Sequence, residues 1–228
     1  TYSANDVMIG PGTKELSFYL QLAYYGELVL HSPCWLSYIP QAKMLGRPIH
    51  IIRSKMKNSW KITPKYLQQY LELEGKDKPR ILILNYPSNP TGVTYTSSEL
   101  EALAAVLREY GVIVLSDEIY SSFTFNEAYG GYTTISQYYP EGTIILDGMS
   151  KCVGAGGYRL GYFVFPPNLQ WLLQALKNCA SETFTSVSAP IQHAAITAYD
   201  GHFENEEIKE YLERGKEVLR NVSTMCVD

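Results

Sequence analysis

One lysine stands apart from the other basic residues. Lys151 follows the apolar run Thr143–Asp147 and then Gly148-Met149-Ser150, and it precedes Cys152-Val153-Gly154-Ala155-Gly156-Gly157. Most lysines are solvated surface residues, but one set in a glycine-rich, mostly uncharged stretch can lose its hydration. Desolvation lowers the pKa of an ammonium group and frees a neutral amine for Schiff-base chemistry. Arg159, eight residues further on, offers a fixed guanidinium fork suited to a phosphate dianion. Asp117 ends a second apolar run, Val112–Ser116, with Glu118 and Tyr120 beside it. Its carboxylate can pair with a protonated ring nitrogen, and it reads equally well as a helix N-cap or a salt-bridge partner.

Other candidates are weaker taken singly. Gly10-Pro11-Gly12-Thr13-Lys14 joins a strand to a helix and leaves backbone N–H groups free at the helix start, where a phosphate is attracted. A plain tight turn explains it as well. It is not a dinucleotide fingerprint, because Glu15 stands where a third glycine is needed, and it lacks the P-loop spacing. Trp35 could stack on a planar ligand, although a tryptophan opening a helix is more often core. His31, His50, His193 and His202 show no metal-ligand spacing and read as structural, so no metal is expected. Among 19 tyrosines only Tyr120 is placed to be singled out.

These groups need a frame to bring them together. Continuous apolar runs at Val7–Ile9, Leu28–His31, Ile49–Ile52, Ile81–Asn85, Val112–Ser116, Thr143–Asp147 and Tyr162–Phe165 suit strands covered on both faces of a parallel sheet. Helical spacing marks Lys14–Tyr25, Trp35–Leu45, Pro64–Glu74, Ser98–Tyr110 and Leu169–Ala180 between them. Thr63 caps a helix with Pro64 at its first position, and Ser98 with Glu101 forms a capping box closed by Gly111. The alternation predicts a doubly wound, mostly parallel α/β sheet of about seven strands in three α/β/α layers. In such a sheet ligands gather beyond the carboxyl ends of the strands, and five strand ends here place polar or aromatic groups on one edge.

Composition narrows the function class. The chain has 228 residues, 46% hydrophobic, with a net charge of −4 and no basic run. That leaves no electrostatic footprint for nucleic acid or an anionic membrane surface. No apolar run approaches the ~18 residues of a membrane span. Cys34, Cys152, Cys179 and Cys226 are spaced 118, 27 and 47 residues apart with no C-x-x-C. Free thiols in a reducing compartment, hence a cytoplasmic location, are expected. The start, Thr1-Tyr2-Ser3-Ala4-Asn5-Asp6, has neither a signal peptide nor an initiator Met, so the chain reads as a piece of a longer protein.

Taken together the motifs resemble the class I/II aminotransferases, the fold type I enzymes that use pyridoxal 5′-phosphate (PLP). The resemblance runs from about Asp6 to Ala195. Its strongest element is Ser150-Lys151 with seven residues before Arg159 and then Gly161. Asn85–Gly92 is similar to the family's N-P-x-N-P-T-G, and Asp117-Glu118-Ile119-Tyr120 to its D-E-x-Y. The resemblance implies that Lys151 carries PLP as a Schiff base and shuttles the substrate proton, while Asp117 pairs with the pyridine nitrogen. It implies that Asn89 and Tyr120 bond the phenolic oxygen and that Trp35 stacks on the ring. It implies too that Gly12, Thr13, Ser150 and Arg159 hold the phosphate, with Lys14 giving at most a backbone N–H.

Two departures stand out. Gly148 replaces a hydroxyl residue that many members carry three positions before the lysine, and Tyr86 replaces the first proline of the asparagine–proline run. Residues 1–203 are expected to form the PLP-binding large domain without its N-terminal arm, and 204–228 a helix leading to an absent small domain. The arm and the arginine that binds the substrate carboxylate are expected outside the chain. The implied reaction moves an amino group from an amino acid to a 2-oxo acid in a homodimer. A lyase or synthase of the same fold, and a non-catalytic PLP-binding sensor of a transcription regulator, are the alternatives.

Overall fold

The computed structural model describes residues 2–76, 78–125, 131–200 and 205–226. Seven strands form one sheet: β1 (Val7–Gly10), β2 (Glu27–Ser32), β3 (Ile49–Arg53), β4 (Arg80–Asn85), β5 (Ile113–Asp117), β6 (Thr143–Gly148) and β7 (Gly161–Val164). Their spatial order is β1-β7-β6-β5-β4-β2-β3. The pairs from β6 through β3 are parallel, whereas β7 runs antiparallel to both its neighbours, β1 and β6. The carboxyl ends of β1, β2, β4, β5 and β6 therefore meet on one edge, joined there by the amino end of β7.

Alternation along each buried strand feeds two cores. On one face Leu28, Leu30, Ile81, Ile83, Ile113, Leu115, Ile144 and Leu146 pack against α1 (Thr13–Ala23), α2 (Tyr38–Met44) and α6 (Gln170–Ser181). On the other face Val29, Leu82, Leu84, Val112 and Val114 meet α3 (Pro64–Glu74) and α4 (Ser97–Glu109). The middle positions of the central strands, Leu28–Leu30, Ile81–Leu84 and Ile113–Leu115, are apolar without a break because both faces are covered. This is the expected three-layer, mostly parallel arrangement.

Local chemistry sets the helix boundaries. Thr63 accepts from the Tyr66 N–H ahead of Pro64 at the first position of α3, as the sequence implies. For α4 the capping box is formed by Thr96 and Glu99 rather than by Ser98 and Glu101. The reason is a third partner: Lys61 pairs with Glu99 at 2.6 Å and holds that carboxylate at the helix start. The second helix begins at Tyr38, so Trp35 lies in the preceding turn and does not open it.

Three shorter or later helices complete the described chain: α5 (Met149–Cys152), α7 (Ala189–Tyr199) and α8 (Glu206–Met225). The α7 helix has no counterpart in the sequence reading. Only Ala195 along it is buried, so no apolar stripe marks it. The α8 helix matches the helix expected over 204–228, starts two residues later because Asn205 caps it, and buries no residue fully. Among the described residues no helix is long and apolar enough to cross a membrane. The four cysteines are free thiols.

Candidate active site

A cleft of about 260 Å³ opens on the carboxyl edge of the sheet, lined by Thr13, Lys14, Trp35, Asn89, Asp117, Tyr120, Ser150, Lys151 and Arg159, together with Tyr38, Asn85 and Ile119. Of the ten residues singled out from sequence, nine line it, and the tenth, Gly12, abuts it beneath Arg159. Strand order sets their sequence along the edge. Thr13 and Arg159 come from β1 and β7, Ser150 and Lys151 follow β6, Asp117 ends β5, and Asn89 follows β4.

The end near β1 is built for an anion. Gly12 has φ +95°, and a Cβ placed on it would fall 2.2 Å from Arg159 Nη2. The guanidinium therefore lies across the start of α1, where N–H groups are unsatisfied and the helix dipole is positive. Arg159 donates to the Gly156 carbonyl at 2.7 Å, which holds it there. Close packing brings these pieces together. Gly10, Gly161 and Gly148 are in register on β1, β7 and β6. A Cβ on Gly161 would approach the Thr13 nitrogen to 2.7 Å, and one on Gly148 the Leu160 carbonyl oxygen to 2.7 Å. The missing hydroxyl at Gly148 thus follows from backbone contact that admits no side chain.

Lys151 sits on α5, half-buried, with its Nζ 5.4 Å from the centre of the Tyr120 ring. Lys14 Nζ lies 5.2 Å from the Trp35 ring centre, so its side chain enters the cleft as well as its backbone. Lys14, Lys151 and Arg159 make the cleft locally positive in a chain of net charge −4. An anionic ligand is favoured there.

Asp117 supplies the negative charge. It is buried, and burial pushes its pKa up to about 6, against the opposing pull of hydrogen bonds from the Tyr38 hydroxyl and the Ile119 N–H. The Tyr38 hydroxyl donates to Oδ2 at 2.5 Å and the Ile119 N–H to Oδ1 at 3.3 Å. The sequence alternatives for Asp117 were a cap or an ion pair; its carboxylate instead meets a phenol and a backbone amide. Asn85 binds the adjacent strand by donating to the Asp117 carbonyl at 3.1 Å, and its own Oδ1 accepts from the Asn89 N–H at 2.8 Å. Asn89 then donates to the Tyr120 hydroxyl at 3.5 Å.

Tyr38 carries no local signal in the sequence, since an aromatic residue at helical spacing reads as core. Asn85 stood inside a motif without a role of its own. The Tyr86 departure is explained by packing. Its ring is fully buried and stacks on Tyr132, and its hydroxyl accepts from the Ile135 N–H and lies 3.0 Å from Ser116 Oγ.

Comparison with known proteins agrees with this geometry. The family described as aminotransferase class I and II matches residues 1–226. An aspartate aminotransferase of Geobacillus stearothermophilus is 32% identical over 227 residues, covering 96% of this chain and 55% of that protein. An asparagine–oxo-acid transaminase of Streptococcus mutans is 33% identical over 207 residues, covering 89% and 51%. The structure of an aspartate aminotransferase from Thermus thermophilus with maleate superposes with a TM-score of 0.83 at 25% identity, covering 95% of this chain and 54% of that one. The chain spans about half the length of the curated relatives it matches. With a family match over nearly every residue, the chain belongs to the class I and II aminotransferases.

Proposed function

We propose that this chain is the cofactor-binding part of an aminotransferase that moves an amino group from an amino acid to a 2-oxo acid. The observation that carries it is the juxtaposition of Lys151 with a buried carboxylate on one side and an anion cradle on the other. PLP is the cofactor of this family, and the cleft fits it. The guanidinium of Arg159 fills the space a Cβ on Gly12 would take, at the head of α1. Thr13, Ser150 and Arg159 would hold the phosphate, Trp35 would face the ring, Asn89 and Tyr120 would meet its phenolic oxygen, and Asp117 its nitrogen.

Bound there, PLP supplies an electron sink for negative charge developing at the substrate Cα. The chain's own residues do the rest. The Lys151 amine would take the proton from the substrate Cα and deliver it on the far side of the substrate nitrogen, a general acid–base role. The Asp117 carboxylate would keep a proton on the ring nitrogen, and a cationic partner at that site would offset the burial that disfavours its charged form. Asn85 holds Asn89 in place through its backbone amide.

The same reading assigns residues 1–203 to a large domain and 204–228 to a helix leading to a second one. Tyr211, Val218, Leu219 and Val222 form an exposed apolar stripe on α8, which supports a covering domain. It also makes the working protein a cytoplasmic homodimer, which sedimentation of the full-length protein tests. The reaction is tested by incubating that protein with PLP and a panel of amino acid and 2-oxo acid pairs. A new amino acid formed one for one with a new 2-oxo acid supports the proposal. Ammonia release or substrate breakdown without a second amino acid overturns it in favour of a lyase.

A further inference from the structure

Tyr38 stands 79 residues from Asp117 in the chain, yet its hydroxyl donates to Asp117 Oδ2 at 2.5 Å. The phenol is 1% exposed and begins α2. Its ring meets that of Trp35 edge-on, with centroids 5.1 Å apart and planes at 82°. One side chain therefore touches both the carboxylate at the floor of the cleft and the indole on its wall. Among the described residues no other side chain donates to this carboxylate, and the remaining hydrogen bond comes from the Ile119 N–H at 3.3 Å.

We propose that Tyr38 is the positioning residue that fixes the orientation and ionisation of Asp117 and registers it against Trp35. The proposal rests on the reading of the cleft as a PLP site, in which Asp117 opposes the ring nitrogen. A carboxylate taken out of water favours its neutral form unless donors favour the charged one. An O–H···O⁻ contact of this length is in the charge-assisted range, roughly twice as strong as a neutral hydrogen bond. Burial and the Asp117 charge push the Tyr38 phenol well above its ordinary pKa. It therefore stays protonated and acts as a permanent donor.

The other groups around Asp117 do not replace this contact. Cys34 and Tyr120 lie near Tyr38, and negative charge on either would oppose ionisation of its phenol. Glu118 and Asp147 are neighbouring carboxyl groups. Glu118 is satisfied by Ser116 Oγ at 2.8 Å and Thr134 Oγ1 at 2.5 Å. Lys14, Lys151 and Arg159 line the same cleft without an ion pair to Asp117.

The test is a carbon-13 titration of aspartate side chains in the 228-residue chain without cofactor, with the Asp117 resonance identified by its loss in Asp117→Asn. Tyr38→Phe keeps the ring against Trp35 and removes the donor. The Asp117 midpoint is expected to rise by about one pH unit or more, the worth of one hydrogen bond to a charged group. A folded Tyr38→Phe chain with an unmoved midpoint overturns the proposal. If that variant does not fold, the unsubstituted chain decides: a slowly exchanging downfield phenolic proton at pH 8, lost in Asp117→Asn, supports it, and its absence overturns it. Borohydride trapping of PLP on Lys151 is read separately. Failed trapping with the midpoint shift intact removes the cofactor reading and leaves the coupling, whereas trapping with no shift removes the coupling alone.

Discussion

Replacing Gly12 by alanine tests the anion cradle, and the size of its effect follows from the geometry. Two costs are separable. The backbone at φ +95°, ψ 158° is a region that L-residues rarely adopt, at a cost of about 1–3 kcal/mol. With ~2–4 °C per kcal/mol for a domain of this size, the melting temperature should drop by several degrees. The new Cβ would lie 2.2 Å from Arg159 Nη2, so the guanidinium must leave the head of α1. Losing a charge-assisted contact to a phosphate costs about 1.5–3 kcal/mol, which is roughly ten- to hundredfold in affinity. Because Arg159 is solvent-exposed, the lower end of that range is expected. Fluorescence titration with PLP and with pyridoxal, which lacks the phosphate, separates the costs. PLP binding should weaken about tenfold while pyridoxal binding is unchanged, and Arg159→Ala should reproduce this pattern without the backbone penalty. A lower melting temperature with undiminished PLP affinity would refute the assignment of Gly12 and Arg159 to the phosphate.

Two further outcomes follow from buried charge. Asp147 is pushed up to about 7, first by burial and then by the charges of Glu118 and Asp117, against a hydrogen bond from the Gly148 N–H. Its folded pKa exceeds its unfolded one, so the folded chain holds an extra proton between about pH 4 and 7 and loses stability as pH rises through that window. Asp147→Asn should therefore stabilise the chain by up to a few kcal/mol above pH 7 and by little near pH 4; equal effects in denaturant melts at both pH values would contradict this. The Arg80 side chain is fully buried, with Nε 3.2 Å from Glu27 Oε2 and its other nitrogens on the carbonyls of Glu74 and Gly75. Glu27→Ala leaves that guanidinium without its counter-charge and should cost about 3 kcal/mol in urea unfolding; a loss below about 0.5 kcal/mol would show that the two carbonyls suffice.

Most of the sheet was legible because parallel strands buried on both faces have apolar middles, as Ile81–Leu84 and Ile113–Leu115 show. Helix α3 was legible to the residue because Thr63 and Pro64 are adjacent and local. The start of α4 was not, since a threonine and a serine each have a glutamate three residues on, and Lys61, far away in sequence, chooses Glu99. The α7 helix escaped notice because it presents almost no buried face. The candidate site shows the same divide. Lys151, Arg159, Asp117 and Asn89 lie beside glycines, prolines and strand ends that announce them. Tyr38 reaches Asp117 only through the packing of α2 on the sheet, and nothing in its local sequence encodes that contact.

The central claim is that Lys151 is the amine that bonds PLP. Incubating the chain with PLP, reducing with borohydride, digesting and locating the added mass tests it directly. A single modified peptide containing Lys151 is expected, and no modification in Lys151→Ala. A chain that carries the reduced adduct on Lys14 instead, or equally in the Lys151→Ala variant, would contradict it.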